Sequence, residues 1–334
     1  MKRMKRMKRM KRRLMAVLLT LMMVTGLAGC TTETPGGGDD GGETADSGKT
    51  VRIAASFMSL NNPFWIAEND VLKEEIEERG GELVTYDAQL SLESQISQIE
   101  DAVASGVDAV IVSPYDWKGI RPALESCNAK NVPVVVIDTK VYDSDLVETQ
   151  VVSDNELGGR LCAEALAEYL GGAGNIAIVD FSTNMAVQDR TKGFEEALAE
   201  YPDIKIVARQ DAEGSVESAL PVMENMLQAH DDIDAVFGTN DPAAIGAIAA
   251  IESAGKLDDI AVVGIDGAQD ACELIKEGKL LGTAAQYPSL LATEVVNQIY
   301  KILDGEEPDD DIIYIEEQWV DADNVEEYQT TNAY

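Results

Sequence analysis

The sequence predicts an α/β protein built as two doubly wound, Rossmann-like lobes, and two observations carry that expectation. From Thr50 onward, short β-branched runs alternate with helix-length amphipathic segments. That is the rhythm of βαβ units, whose parallel sheets are covered on both faces. Ten such runs can be counted, too many for one comfortable open sheet, so two lobes are expected. Roughly 300 residues follow Cys30, enough for two separate cores.

The chain begins with a basic head, in which residues 2–13 hold nine Lys and Arg, followed by an apolar run from Leu14 to Ala28. Leu27-Ala28-Gly29-Cys30 closes that run. The layout is that of a secretory signal, too short to read as a spanning helix. It resembles a bacterial lipoprotein signal, so residues 1–30 are expected to be a signal peptide with a lipobox. Cys30 is then the lipidated first residue of the mature chain. Residues 31–49, TTETPGGGDDGGETADSGK, carry no apolar periodicity and are expected to form a flexible tether.

The strand candidates are Val51–Ser56, Leu83–Asp87, Ala109–Ser113, Val134–Asp138, Ile176–Asp180, Ile204–Ala208, Ala235–Gly238, Ile260–Ile265, Gly282–Ala285 and Ile312–Ile315. Helices are expected between them, among others at Leu92–Ser105, Asn155–Leu170, Val216–His230, Asp241–Ser253 and Leu290–Leu303.

Composition excludes several functions. Removing the nine basic residues of the head leaves 17 Lys and Arg against 61 acids, a net charge of −44. Such a balance argues against nucleic acid and anionic lipid as bound partners; runs such as Asp309-Asp310-Asp311 read as solvated faces. Cys127, Cys162 and Cys272 match no metal spacing and are odd in number, so a complete disulfide framework is excluded. Buried inert thiols are the default, with a Cys162–Cys272 bridge left open. The lone His230 ends a helix, where it suits a surface cation better than a triad or zinc site.

No Walker sequence or Gly-x-Ser-x-Gly elbow occurs, and Gly171-Gly172-Ala173-Gly174 precedes a strand, the reverse of a dinucleotide turn. It reads as a helix stop. Neither an enzyme activity nor a cofactor nor a metal is expected.

In doubly wound sheets, ligands sit beyond the carboxyl ends of the strands. Asp138 and Asp266 stand at two such ends, Ser113 at a third, and Thr239-Asn240 at a fourth. Short carboxylates and amides on rigid elements suit paired hydroxyls. Asp241-Pro242 reads as an N-cap followed by a first helical proline, which frees Asn240 for the crevice. At Asn61-Asn62-Pro63, Asn62 is itself the capping residue, and Phe64 and Trp65 follow at once. A flat aromatic face suits the C–H face of a sugar ring.

These residues resemble a known family. Ser59 to Trp65, the Val134–Asp138 strand end, Ser153-Asp154-Asn155 with Gly158-Gly159, Val236 to Asp241, Val263 to Gly267 and Ala285 to Pro288 look like the ribose-binding-protein class, the type I periplasmic sugar-binding proteins of ABC transporters. The resemblance implies two lobes joined by a three-segment hinge, one of residues 51–153 plus 287–312, the other of 154–286 plus 313–334. It also implies ligand positions at Asn62, Phe64, Trp65, Asp138, Asn240, Asp266 and Gln286. Two arginines of the ribose-type pattern are replaced, one by Thr139 and one by Gln188, with Arg190 two residues further on; these three join the candidate ligand residues. An aromatic of the pattern is missing from Asp211-Ala212-Glu213-Gly214. Losing two cationic forks changes which hydroxyl pattern is satisfied, and points from ribose toward another pentose, a hexose or a polyol.

The resemblance implies an extracytoplasmic, membrane-anchored monomer that captures a small carbohydrate by lobe closure and delivers it to a permease and its ATPase. The alternative is a sensing module presenting the same ligand to a membrane receptor or kinase. A DNA-binding regulator would need a helix-turn-helix where residues 1–49 supply a signal and tether.

Overall fold

The computed structural model describes residues 50–332. The expected signal peptide, lipidated Cys30 and tether lie outside the described residues, as do the last two residues.

Two six-stranded sheets organise the chain. The first holds β1 (Arg52–Phe57), β2 (Glu82–Asp87), β3 (Ala109–Val112), β4 (Val134–Ile137), β5 (Thr149–Ser153) and β11 (Ile312–Ile315), in the order β11-β5-β4-β3-β1-β2. The second holds β6 (Ala173–Asp180), β7 (Asp203–Asp211), β8 (Ala235–Gly238), β9 (Ala261–Asp266), β10 (Gly282–Ala285) and β12 (Gln318–Asp321), in the order β12-β10-β9-β8-β6-β7. All pairings are parallel except β12 against β10. The strand order reverses between β1 and β3, and again between β6 and β8. These are the two switch points where a doubly wound sheet opens a crevice.

Helices α1 (Pro63–Glu78), α2 (Leu92–Ala104), α3 (Arg121–Lys130) and α9 (Pro288–Leu303) cover the first sheet. Ile53, Ala55 and Phe57 of β1 face Leu72 and Ile76 of α1 and Leu291, Val295 and Ile299 of α9. On the other face, Ala54, Val110 and Val136 pack on Ile99, Val103 and Leu124. Helices α4 (Asn155–Tyr169) and α5 (Met185–Leu198) cover one face of the second sheet. The other face lies under α6 (Val216–Ala229), α7 (Asp241–Ser253), α8 (Gln269–Lys276) and α10 (Val325–Asn332).

Two strands escaped the sequence reading. β5 contains Thr149 and Gln150 and reads as polar, yet all five of its residues are buried between β4 and β11. β12 is a short edge strand with a single fully buried residue, Val320. The chain crosses between the sheets after Ser153, after Ala285 and after Ile315. The last crossing lies three residues beyond the boundary expected at 312, because the whole of Ile312–Ile315 pairs with β5. Cys162 and Cys272 are free and occupy opposite faces of the second sheet, so no bridge joins them. Gly171 and Gly172 stop α4 with φ of 64° and 86°, as expected of a helix terminator.

A candidate ligand cavity at the strand ends

Helices α4 and α5 touch backbone to backbone. A Cβ on Gly159 would stand 1.8 Å from the Arg190 carbonyl oxygen, and one on Gly193 would stand 2.0 Å from that of Glu156. This contact fixes Arg190, which is almost fully buried. Its Nε donates to Asn155 Oδ1 (2.7 Å) and its Nη1 to the Thr239 carbonyl (2.9 Å). Nη2 lies 3.5 Å from Asp266 Oδ1.

Both strand-end aspartates have left-handed backbones, with φ of 66° at Asp138 and 146° at Asp266. Non-glycine residues rarely hold these conformations, and such strain concentrates at binding sites. Three donors converge on Asp138 Oδ2: Trp65 Nε1 (3.2 Å), Ser113 Oγ (3.2 Å) and Thr139 Oγ1 (3.1 Å). Gln95 steadies that corner, its Nε2 donating to the Ser113 carbonyl at 2.9 Å. Asp266 accepts from Gln286 Nε2 at 2.7 Å.

Burial pushes the Asp138 carboxyl above the usual carboxylate range, although Arg190 and the three donors pull the other way. Burial raises Asp266 to about 7, against the pull of Arg190 and with repulsion from Asp241 added. Desolvation therefore outweighs the Arg190 contact at both carboxyls.

A cavity of about 790 Å³ opens between the two sets of strand ends. Asn62, Phe64, Trp65, Asp138, Thr139, Arg190, Asn240, Asp266 and Gln286 all line it. Gln188 does not. It lies on the first turn of α5 after the cap Asn184, where Val187 and Arg190, three apart, take the cavity face. Its side chain folds back instead, donating to the Ser182 carbonyl at 2.9 Å.

The cap falls on Asn240 and not on Asp241, although Asn240 still lines the cavity. Asn240 is the cap, its Oδ1 accepting from Ala243 N at 2.9 Å while its Nδ2 donates to the Gly214 carbonyl at 3.0 Å. Asp241 is wholly buried and accepts from Ala268 N and Thr283 Oγ1, both at 2.8 Å. Asn62 caps α1 by accepting from Phe64 N at 2.9 Å and still lines the cavity.

Phe181 and Asn184, not singled out from the sequence, line the cavity too. Phe181 follows the strand-end Asp180 and packs against Gly214, where a Cβ would stand 2.9 Å from its ring. The rule that selected Asp138 and Asp266 points here to Asp180, which pairs with Arg209 instead of lining the cavity, and passes over the apolar residue after it. Among the described residues, no group of three or more His, Cys, Asp or Glu is placed to hold a metal ion.

Two largely parallel sheets with a cavity at facing switch points define a two-lobed ligand-binding protein. The chain matches the family described as periplasmic binding protein domain over residues 53–307, and it belongs to that family. It is 39% identical over 290 residues to the ribose import binding protein RbsB of Bacillus subtilis (strain 168), covering 85% of this chain and 92% of that protein. A solute-binding protein of Bacillus halodurans C-125, solved with bound myo-inositol, shares 32% identity with a TM-score of 0.81, over 86% of this chain and 99% of that one. One from Actinobacillus succinogenes 130z with bound D-allose shares 31% identity with a TM-score of 0.78, over 84% and 100%.

Proposed function

We propose that the chain is the solute-binding lipoprotein of an ABC importer, capturing a small carbohydrate or polyol between its two lobes. The observation that carries this reading is the pair of buried, strained aspartates at facing strand ends, backed by Trp65 and Gln286. Relatives named for ribose, allose and myo-inositol support the ligand class. The lobes, residues 50–153 with 288–315 and residues 154–286 with 317–332, close on the ligand about the three crossings. Binding and release are the whole activity, with no bond broken. Cys30 anchors the protein on the outer face of the membrane, from which it serves a permease and its ATPase.

A thermal-shift screen against pentoses, hexoses, polyols and amino acids tests the reading. A tight ligand raises Tm by mass action, and the expected hits are carbohydrates or polyols. Hits confined to amino acids would overturn it. Asp266→Ala should weaken the hit by about 1.5–3 kcal/mol, because a hydrogen bond to a charged group is lost. Wild-type affinity on calorimetry, with an unchanged circular dichroism spectrum, would make Asp266 a turn residue only. Cys30→Ser should move the protein from the membrane fraction to the soluble one.

A further inference from the structure

Among the described residues, those lining the cavity include five carboxylates and a single guanidinium. Asp138 and Asp266 lie deep and are 5% and 4% exposed. Glu213, Glu217 and Asp270 stand exposed around the rim. Arg190 is already engaged by Asn155, Thr239 and Asp266. Thr139, beside Asp138, brings a hydroxyl without charge, and Gln188 turns away.

The hydrogen-bonding inventory leans the same way. The three side-chain donors to Asp138 all converge on Oδ2, and none of the three reaches Oδ1. Gln286 is 2% exposed, lines the cavity, and its Oε1 acceptor has no donor. An acceptor-rich, anionic pocket of this kind is complemented by a group with several N–H donors and a positive charge.

We infer that the ligand is cationic: a protonated amine on a sugar or cyclitol skeleton, its ammonium held by Asp138 and Asp266 with Gln286 Oε1 beside it. This inference rests on the carbohydrate-binding reading above. Arg190 is the cation that acts on both carboxyls, and an ammonium held between them adds a second counter-charge. The rim acids add steering, since clefts lined by one sign of charge concentrate counter-ions at their mouths.

The electrostatics of Asp266 give a second readout. Arg190 on α5, Asp241 on α7 and Asp138 at the end of β4 act on it, and burial dominates, holding its carboxyl at about 7; Glu317 before β12 interacts with it as well. A neighbouring ammonium draws that value down. Amine binding below pH 7 therefore expels a proton, and affinity rises between pH 5.5 and 7.

The test is calorimetry on the detergent-solubilised full chain with three matched pairs: scyllo-inosamine and scyllo-inositol, D-glucosamine and D-glucose, D-galactosamine and D-galactose. At least one amine should bind roughly tenfold or more tightly than its neutral counterpart. Its affinity should fall in 0.5 M NaCl and rise with pH as described. Asp138→Asn with Asp266→Asn should abolish the preference; if that variant does not fold, the wild-type salt and pH dependences report the same charge. Neutral members binding as tightly as their amines would overturn the cationic inference and leave the carbohydrate reading standing. Binding by no amine of the set to folded protein would overturn the cationic inference, and the thermal-shift screen then decides the carbohydrate reading by itself.

Discussion

Every nitrogen of the Arg190 guanidinium is committed, Nε to Asn155, Nη1 to Thr239 and Nη2 toward Asp266. A lysine keeps the charge but not the planar fork. Arg190→Lys should therefore cost about 2–3 kcal/mol in urea unfolding, from lost charge-assisted hydrogen bonds, and weaken ligand binding as well. Glu317 is the opposite case, a carboxyl packed against Gly158 with neither oxygen partnered. Burial raises it to about 8. A carboxyl whose folded pKa lies above its unfolded one favours folding at low pH. That contribution is complete below the unfolded pKa of about 4.3 and is lost as pH rises toward 8. Glu317→Gln should thus raise Tm at pH 8.5, leave it nearly unchanged below pH 5, and flatten the profile between. An equal shift at both ends would show that ionisation of Glu317 is not the cause.

At the scale of elements, the α4–α5 contact is the most exacting feature. Gly159→Ala places a methyl on the Arg190 backbone, which cannot retreat without displacing that side chain. Overpacking of this kind should cost about 1–3 kcal/mol, with a matching loss of affinity, both read from urea melts and calorimetry. The alternation of β-branched and amphipathic segments made most elements legible. β5 was hidden because Thr149 and Gln150 are buried for their neighbours' sake, with Gln150 Oε1 accepting from Val141 N, and no local pattern reveals a partner strand. Strand ends likewise exposed most of the cavity. Gln188 was misplaced because a motif fixes spacing along a helix while the cap at Asn184 fixes which face looks inward. The cap at Asn240 was misjudged because only tertiary partners, Ala268 and Thr283, show why Asp241 is elsewhere engaged.

Across the whole molecule, Lys140 and Asp189 join the two lobes through a contact of 2.6 Å, with side chains 20% and 9% exposed. Partial burial spares the pair much of the screening that weakens surface bridges. Lys140→Met should loosen the closed arrangement. Ligand dissociation should quicken by roughly threefold to tenfold, the scale of one charge-assisted bond less its solvent competition. The radius of gyration of the ligand-bound protein in X-ray scattering should also grow. Unaltered dissociation would mean that the pair is incidental to closure.

The interleaving of the lobes also governs the order in which the chain matures during synthesis. The first sheet's core requires Leu291, Val295, Val296 and Ile299 of α9 and gains its last strand from Ile312–Ile315. The second sheet's core requires Val320, Val325 and Tyr328. Neither lobe can finish folding until nearly the last residue has left the ribosome. A nascent chain ending at Gln286 should accordingly be digested rapidly by protease, while one carried through to Tyr334 resists. Under the exported, membrane-anchored reading proposed above, late completion keeps the polypeptide threadable while a translocase engages it.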